Sequence, residues 1–188
     1  MYRHVIEHPQ WIPEAWQARL DLRAGEDKGR IYRVRKKGQP RAASFDMTKL
    51  TDVELVKALA HPNGWNRDTA QQLLVTAVSV SQQAVVEIEK QALQGSGLGQ
   101  LHSIAVLEGR GLLTASHLAA GLKSSSPPLV AALLKFATTE LIDDAHISSL
   151  IPGLIKHDSL EVRYQLALAL GRSQSPQVTE WLGQLVES

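Results

Sequence analysis

The chain has no cysteine among its 188 residues. That excludes a disulfide scaffold, a thiolate zinc site and covalent haem attachment through Cys-x-x-Cys-His. Aromatic residues are scarce at 5%, although 44% of the chain is hydrophobic. A core drawn mainly from Leu and Ala favours helices packed on helices. No apolar run reaches the roughly 18 residues that a membrane-spanning helix needs. The opening residues, MYRHVIEHPQW, lack a signal-peptide core. As written, the chain is expected to remain in the cytoplasm.

Charge of one sign is also nearly absent in sum, since the net charge is only +1. The two ends nevertheless differ. Residues 1–45 hold ten Lys/Arg against five Asp/Glu, and residues 46–188 hold ten against fourteen, giving +5 and −4. With 21% charged residues the chain has enough apolar material to fold. The change of sign divides it into an N-terminal segment, 1–45, and a helical region, 46–188.

In the first segment, residues 2–8 are rich in aromatic and β-branched types and read as a short strand, broken by Pro9 and Pro13. Residues 14–22 suggest two turns of helix with Trp16 and Leu20 on one side. Residues 25–29 (GEDKG) form a turn, and residues 30–35 alternate as a strand does. Two strands alone are marginal. They pair as a hairpin or belong to a sheet that lies outside this chain. Residues 39–46 (QPRAASFD) read as a linker.

The stretches MYRHVIEHPQWIP and LDLRAGEDKGRIYRV resemble the closing segment of the β-propeller in a bacterial membrane-bound dehydrogenase family, whose propellers are similar to quinoprotein sugar dehydrogenases. HPNGWNRDTAQQLL (61–74) and LHSIAVLEGRGLL (101–113) resemble the helical region that follows that propeller. The resemblance covers most of the chain and is most specific over the first 34 residues. It implies HEAT-like repeats placed after a propeller and often before a cytochrome c domain, in an exported, periplasmic or membrane-associated parent. It carries over no catalytic residue, because the blades that would hold one are absent.

Two motifs in this segment have bland readings. His4-Val-Ile-Glu7-His8 matches the zinc pattern H-x-x-E-H, which requires both histidines on one helical face. Pro9 and the β-branched pair in the middle argue against a helix, so the match is read as chance. Arg30, Arg33, Arg35, Lys36, Lys37 and Arg41, with Tyr32 able to stack on a base, form a possible phosphate-binding run. A solvated edge strand leading into a linker is the favoured reading, because the rest of the chain is acidic and no nucleic-acid motif accompanies them.

From residue 47 the pattern is helical. Expected helices run from Thr51 or Asp52 to His61-Pro62, over 65–75, 80–93 and 101–108, and from Thr114 to Lys123. Further ones run from Pro127 to about Thr139, from Asp143 or Asp144 to Lys156, over 159–171, and from Pro176 to Val186. In helix 159–171, Asp158 is the expected cap, and Leu160, Val162, Leu166, Ala169 and Leu170 the expected buried face.

Superposed at 32 residues, Leu118, Gly121, Leu122 and Val130 recur as Leu150, Gly153, Leu154 and Val162. Asn66, Leu98, Val130 and Val162 form one column, and Leu73, Ala105, Ala137 and Ala169 another. An apolar column repeating through successive helices predicts an all-α superhelix, an α-solenoid of the ARM type, with about four to four and a half helix pairs.

HEAT-like repeats fit best, through Asp158…Val162-Arg163, with Arg67 in the matching place after His61-Pro62. The 32-residue frame puts Gly99 and Ala131 where the other two arginines would stand. Thr114-Ala-Ser-His-Leu-Ala-Ala120 resembles an ankyrin signature, but it has no second copy. Gly95-x-Gly-x-Gly99 follows a helix and is read as a joining loop rather than a dinucleotide turn. His102, His117, His146 and His157 lack metal-ligand spacing.

The resulting expectation is a non-catalytic repeat module for protein contact or inter-domain spacing, without cofactor or small-molecule substrate. Gln71, Gln72, Lys135 and Tyr164 are candidates to face a partner. Two alternatives are a part of a quinoprotein-type sugar dehydrogenase and a nucleic-acid binder using residues 30–41.

Overall fold

The structure, a computed structural model, describes residues 9–20, 34, 36–38 and 46–187. The chain divides between Ser44 and Phe45 into two compact units. In the first, a 3-10 turn (Pro9–Trp11) leads to helix α1 (Glu14–Gln17). Pro13 opens α1, and the Gln17 side-chain amide donates to the Ile12 carbonyl at 2.7 Å. The helix expected over 14–22 thus lasts a single turn. It has no buried residue to stabilise further propagation, and Trp16 and Leu20 face solvent. The expected strands lie outside the described residues, apart from Val34, which is in no strand. His4, Glu7, His8, Arg30, Tyr32, Arg33, Arg35 and Arg41 also lie outside them. Lys36 and Lys37 are exposed.

Every regular element described in the second unit is helical. A 3-10 turn (Met47–Lys49) precedes α2 (Asp52–Ala58), α3 (Gly64–Thr76), α4 (Gln82–Gln94), α5 (Gly97–Gly109) and α6 (Ala115–Leu122). Then come α7 (Pro127–Leu134), α8 (Thr139–Ile142), α9 (Ala145–Ser148), α10 (Ile151–Ile155), α11 (Leu160–Leu170) and α12 (Val178–Glu187). Local chemistry sets the starts. Thr51 and Glu54 form a reciprocal capping box on α2, Asn63 caps α3, Ser81 caps α4, and Pro127 takes the first turn of α7.

The helices stack in two layers. Helices α2, α4, α6, α9–α10 and α12 follow one another in the first layer, and α3, α5, α7 and α11 in the second. Each second-layer helix also packs on its first-layer partner, giving four pairs and a closing helix. This is the all-α, solenoid-like architecture that the periodicity predicts.

Burial gives the repeat a finer register. In the first layer Leu55, Ile88, Leu118, Ile151 and Trp181 occupy equivalent buried positions, at steps of 33, 30, 33 and 30. In the second layer the buried triplets are Asn66/Ala70/Leu74, Gly99/Ser103/Leu107, Leu129/Leu133/Ala137 and Val162/Leu166/Leu170, again at steps of 33, 30 and 33. From layer one to layer two the interval is always 11, as from Leu55 to Asn66 and from Ile151 to Val162. Three additional residues therefore enter after the first and third pairs only. The 32-residue frame is the average of the three second-layer steps. It fails at Leu98, which is exposed, and at Val130, since the residue equivalent to Val162 is Leu129.

Other expected boundaries also shift. Helix α7 ends at Leu134 rather than Thr139, because the additional residues of the third repeat form a turn and α8. The helix expected from Asp143 or Asp144 to Lys156 is split into α9 and α10. Pro152 has no N–H, and its ring opposes the carbonyl of Ser148, the last residue of α9. Helix α5 begins within the glycine run, at Gly97, so Gly99 is helical rather than part of a joining loop. Ser159, not Asp158, is the N-cap of α11, and Leu160 is exposed, while Val162, Leu166, Ala169 and Leu170 are buried as predicted.

Candidate protein-contact surface

The two arginines singled out by the repeat occupy equivalent places, at 67 and 163, an interval of 96. Arg67 Nη1 donates to the His61 carbonyl at 2.7 Å and to that of Pro62 at 3.0 Å. Arg163 Nη1 donates to the His157 carbonyl at 2.7 Å and to that of Asp158 at 3.4 Å. The histidines repeat the match. His61 Nδ1 accepts from the Asn63 N–H and His157 Nδ1 from the Ser159 N–H, each at 3.0 Å. Each arginine thus satisfies carbonyls left free where a first-layer helix ends. Asp158 takes part through its backbone, with its side chain exposed. Val162 is fully buried beside it.

In the burial register Gln100 and Val130, not Gly99 and Ala131, stand at the arginine position of the intervening repeats. Gln100 is buried and donates from Nε2 to the Ala92 carbonyl on α4 at 2.9 Å, a neutral version of the same brace. Val130 is buried and apolar.

Gln71 does not present a free amide. Its Oε1 accepts from His102 Nδ1 at 2.7 Å, and Arg67 Nε donates to His102 Nε2 at 3.2 Å. These partners fix the neutral ring with its proton on Nδ1, linking α3 to α5. Burial lowers the pKa of His102, the Arg67 cation lowers it further, and Asp68 opposes both. His117 is buried in the α6 capping box, where Nδ1 accepts from the Thr114 N–H at 3.2 Å, and burial lowers its pKa against the opposing charge of Glu89. Asp144, the α9 cap, holds exposed His146 at 2.9 Å.

Gln72, Lys135 and Tyr164 are exposed on α3, at the end of α7 and on α11. Lys135 and Tyr164 belong to neighbouring second-layer helices, whereas α5 and α7 separate Gln72 from α11. The sequence reading missed the apolar residues around Tyr164. Leu160, Tyr164 and Leu168 are 72%, 59% and 49% exposed and lie four residues apart, so they form one water-facing stripe along α11. Trp65 on α3 and Leu98 on α5 add exposed apolar area to the same layer. The four-residue spacing was a usable signal, but without the register it reads as a core face.

The first 38 residues match a family described as a domain of unknown function (DUF7133). The match falls on the stretch where the propeller resemblance is most specific, and that description assigns no activity. No curated protein and no solved structure matches the chain. Among the described residues, no helix is long and apolar enough to cross a membrane, and no group of three or more His, Asp or Glu is placed to hold a metal ion.

Proposed function

We propose that residues 46–188 form a HEAT-like module that contacts other protein domains and sets their spacing. The observation that carries this reading is the water-facing stripe Leu160–Tyr164–Leu168 on a helix whose opposite face is fully buried. Large apolar side chains clustered on a stacked-helix face mark a contact surface, and a tyrosine can anchor a partner while keeping its hydroxyl wet. The braces of Arg67 and Arg163 support the HEAT-like subtype. The resemblance of residues 1–34 supports a parent in which the module separates a propeller dehydrogenase from an electron-accepting haem domain. On this reading the chain is not itself an enzyme.

The test uses the longer parent protein. Replacing Leu160, Tyr164 and Leu168 together by serine is expected to leave the helical signal intact and to weaken assembly of the flanking domains. Deleting residues 46–188 is expected to abolish assembly and slow electron transfer. Unchanged assembly and transfer after that deletion would refute the proposal.

A further inference from the structure

Helix α2 ends at Ala58, whereas its neighbour α4 continues to Gln94. The later turns of α4 therefore outrun the helix beside them, leaving an open groove of about 670 Å³. Its apolar side is Val53, Val56 and Ala60. Its other wall is one face of α4, with Gln83, Glu87, Lys90, Gln91 and Gln94 recurring every three or four residues. Lys57 and Lys90 both stand exposed at the groove and are in no ion pair among the described residues, while Glu87 is its sole lining carboxylate.

We infer that this groove binds an extended, acidic peptide segment of a partner protein, which deepens the protein-contact reading and rests on it. The amide row selects the extended backbone. Side-chain amides both donate and accept, and an extended chain has N–H and C=O groups to offer, whereas a helix has already spent its own internally. Gln91 Oε1 accepts from Ser103 Oγ at 3.0 Å, which fixes that side chain against α5. A Cβ at Gly99 would lie 2.7 Å from Gln91 Nε2, so that glycine leaves the amide its place. The excess of lysine selects carboxylates. From Gln83 to Gln94 the wall runs about 16 Å, the span of about five extended residues. Open on one side, the groove suits a chain passing through it better than an enclosed small molecule.

The probes are Ac-Glu-Leu-Glu-Leu-Glu-amide and Ac-Lys-Leu-Lys-Leu-Lys-amide, each titrated into the full chain labelled with ¹⁵N. The acidic peptide is expected to shift amides in 53–60 and 83–95, more weakly as salt is raised. Lys57→Glu with Lys90→Glu should weaken it about tenfold and reverse the preference between the two peptides. Gln83→Ala with Gln94→Ala should also weaken it, with both lysines in place. All four positions are exposed, so the variants are expected to melt as the parent does. Absence of shifts, equal response to the basic peptide, or insensitivity to both pairs of substitutions overturns the inference. Shifts confined to 160–168 overturn it too, but leave the contact reading standing, since that reading fails only if deleting residues 46–188 changes nothing.

Discussion

At the scale of single residues, Arg67 and Arg163 test the brace that relates the first and fourth repeats. Each closes carbonyls at the end of a first-layer helix, and Arg67 also donates to His102. Hydrogen bonds from charged donors contribute about 1.5–3 kcal/mol. Arg163→Ala is expected near the lower end of that range and Arg67→Ala near the upper, read as a fall in urea midpoint at constant slope. Lysine should restore little at Arg67, because one ammonium cannot reproduce the fork whose Nη1 bonds the carbonyls and whose Nε bonds the His102 ring. The histidines make a separate prediction. His102 and His117 both have lowered pKa values in the fold, chiefly through burial. The unfolded chain therefore takes up protons first as pH falls below about 6.5, histidine's ordinary value. Their contribution is complete above that pH and declines as pH drops toward their lowered folded values. His102→Gln and His117→Gln keep hydrogen-bonding ability without titrating. Together they should flatten the fall in melting temperature between pH 6.5 and 5, and an unaltered slope would reject this origin.

At the scale of elements, two glycines that look equivalent in sequence have opposite surroundings. Gly121 and Gly153 lie 32 residues apart, yet a Cβ on Gly121 would come within 2.5 Å of Leu133 Cδ1 and 2.9 Å of Ile104 Cδ1, while one on Gly153 meets nothing within 4 Å. Leu133 and Ile104 are fully buried and have little room to yield. Gly121→Ala is expected to destabilise by about 1–3 kcal/mol. Gly153→Ala is expected to stabilise by up to about 1 kcal/mol through helix propensity, and thermal melts of the two variants should shift in opposite directions. The same pair marks what was legible in the sequence. Periodicity, caps and breakers located most helices, because each depends on residues a few positions apart. The alternation of 33 and 30 was not legible, because it depends on which face of Leu98 or Leu160 meets a neighbouring helix. Pro152 could have been read as the break between α9 and α10. The Arg67–His102–Gln71 link could not, since it joins α3 to α5 across about one repeat. The stripe around Tyr164 was half visible, with Tyr164 singled out, Leu160 assigned to the core and Leu168 assigned to neither face.

At the scale of the whole stack, each pair is stabilised mainly by its neighbours, so the ends are where stability is decided. The closing helix α12 turns Trp181 inward against α10 and α11 and leaves Thr179, Glu180 and Gln184 in water. It thereby covers the fourth pair, whose Ile151, Ile155 and Leu170 are almost wholly buried. Trp181→Ala removes the largest side chain of that cover, and losses of this kind cost about 3–5 kcal/mol. In a stack with nearest-neighbour coupling the loss should stay local. Amide hydrogen exchange is expected to speed up strongly in α10, α11 and α12 while α4 and α5 retain their protection. A chain ending at Ser175 should behave in the same way and associate through the uncovered apolar face. Equal loss of protection in α4 and α5 would instead mean that the four pairs unfold as one cooperative body, and that their order along the chain does not set their stability.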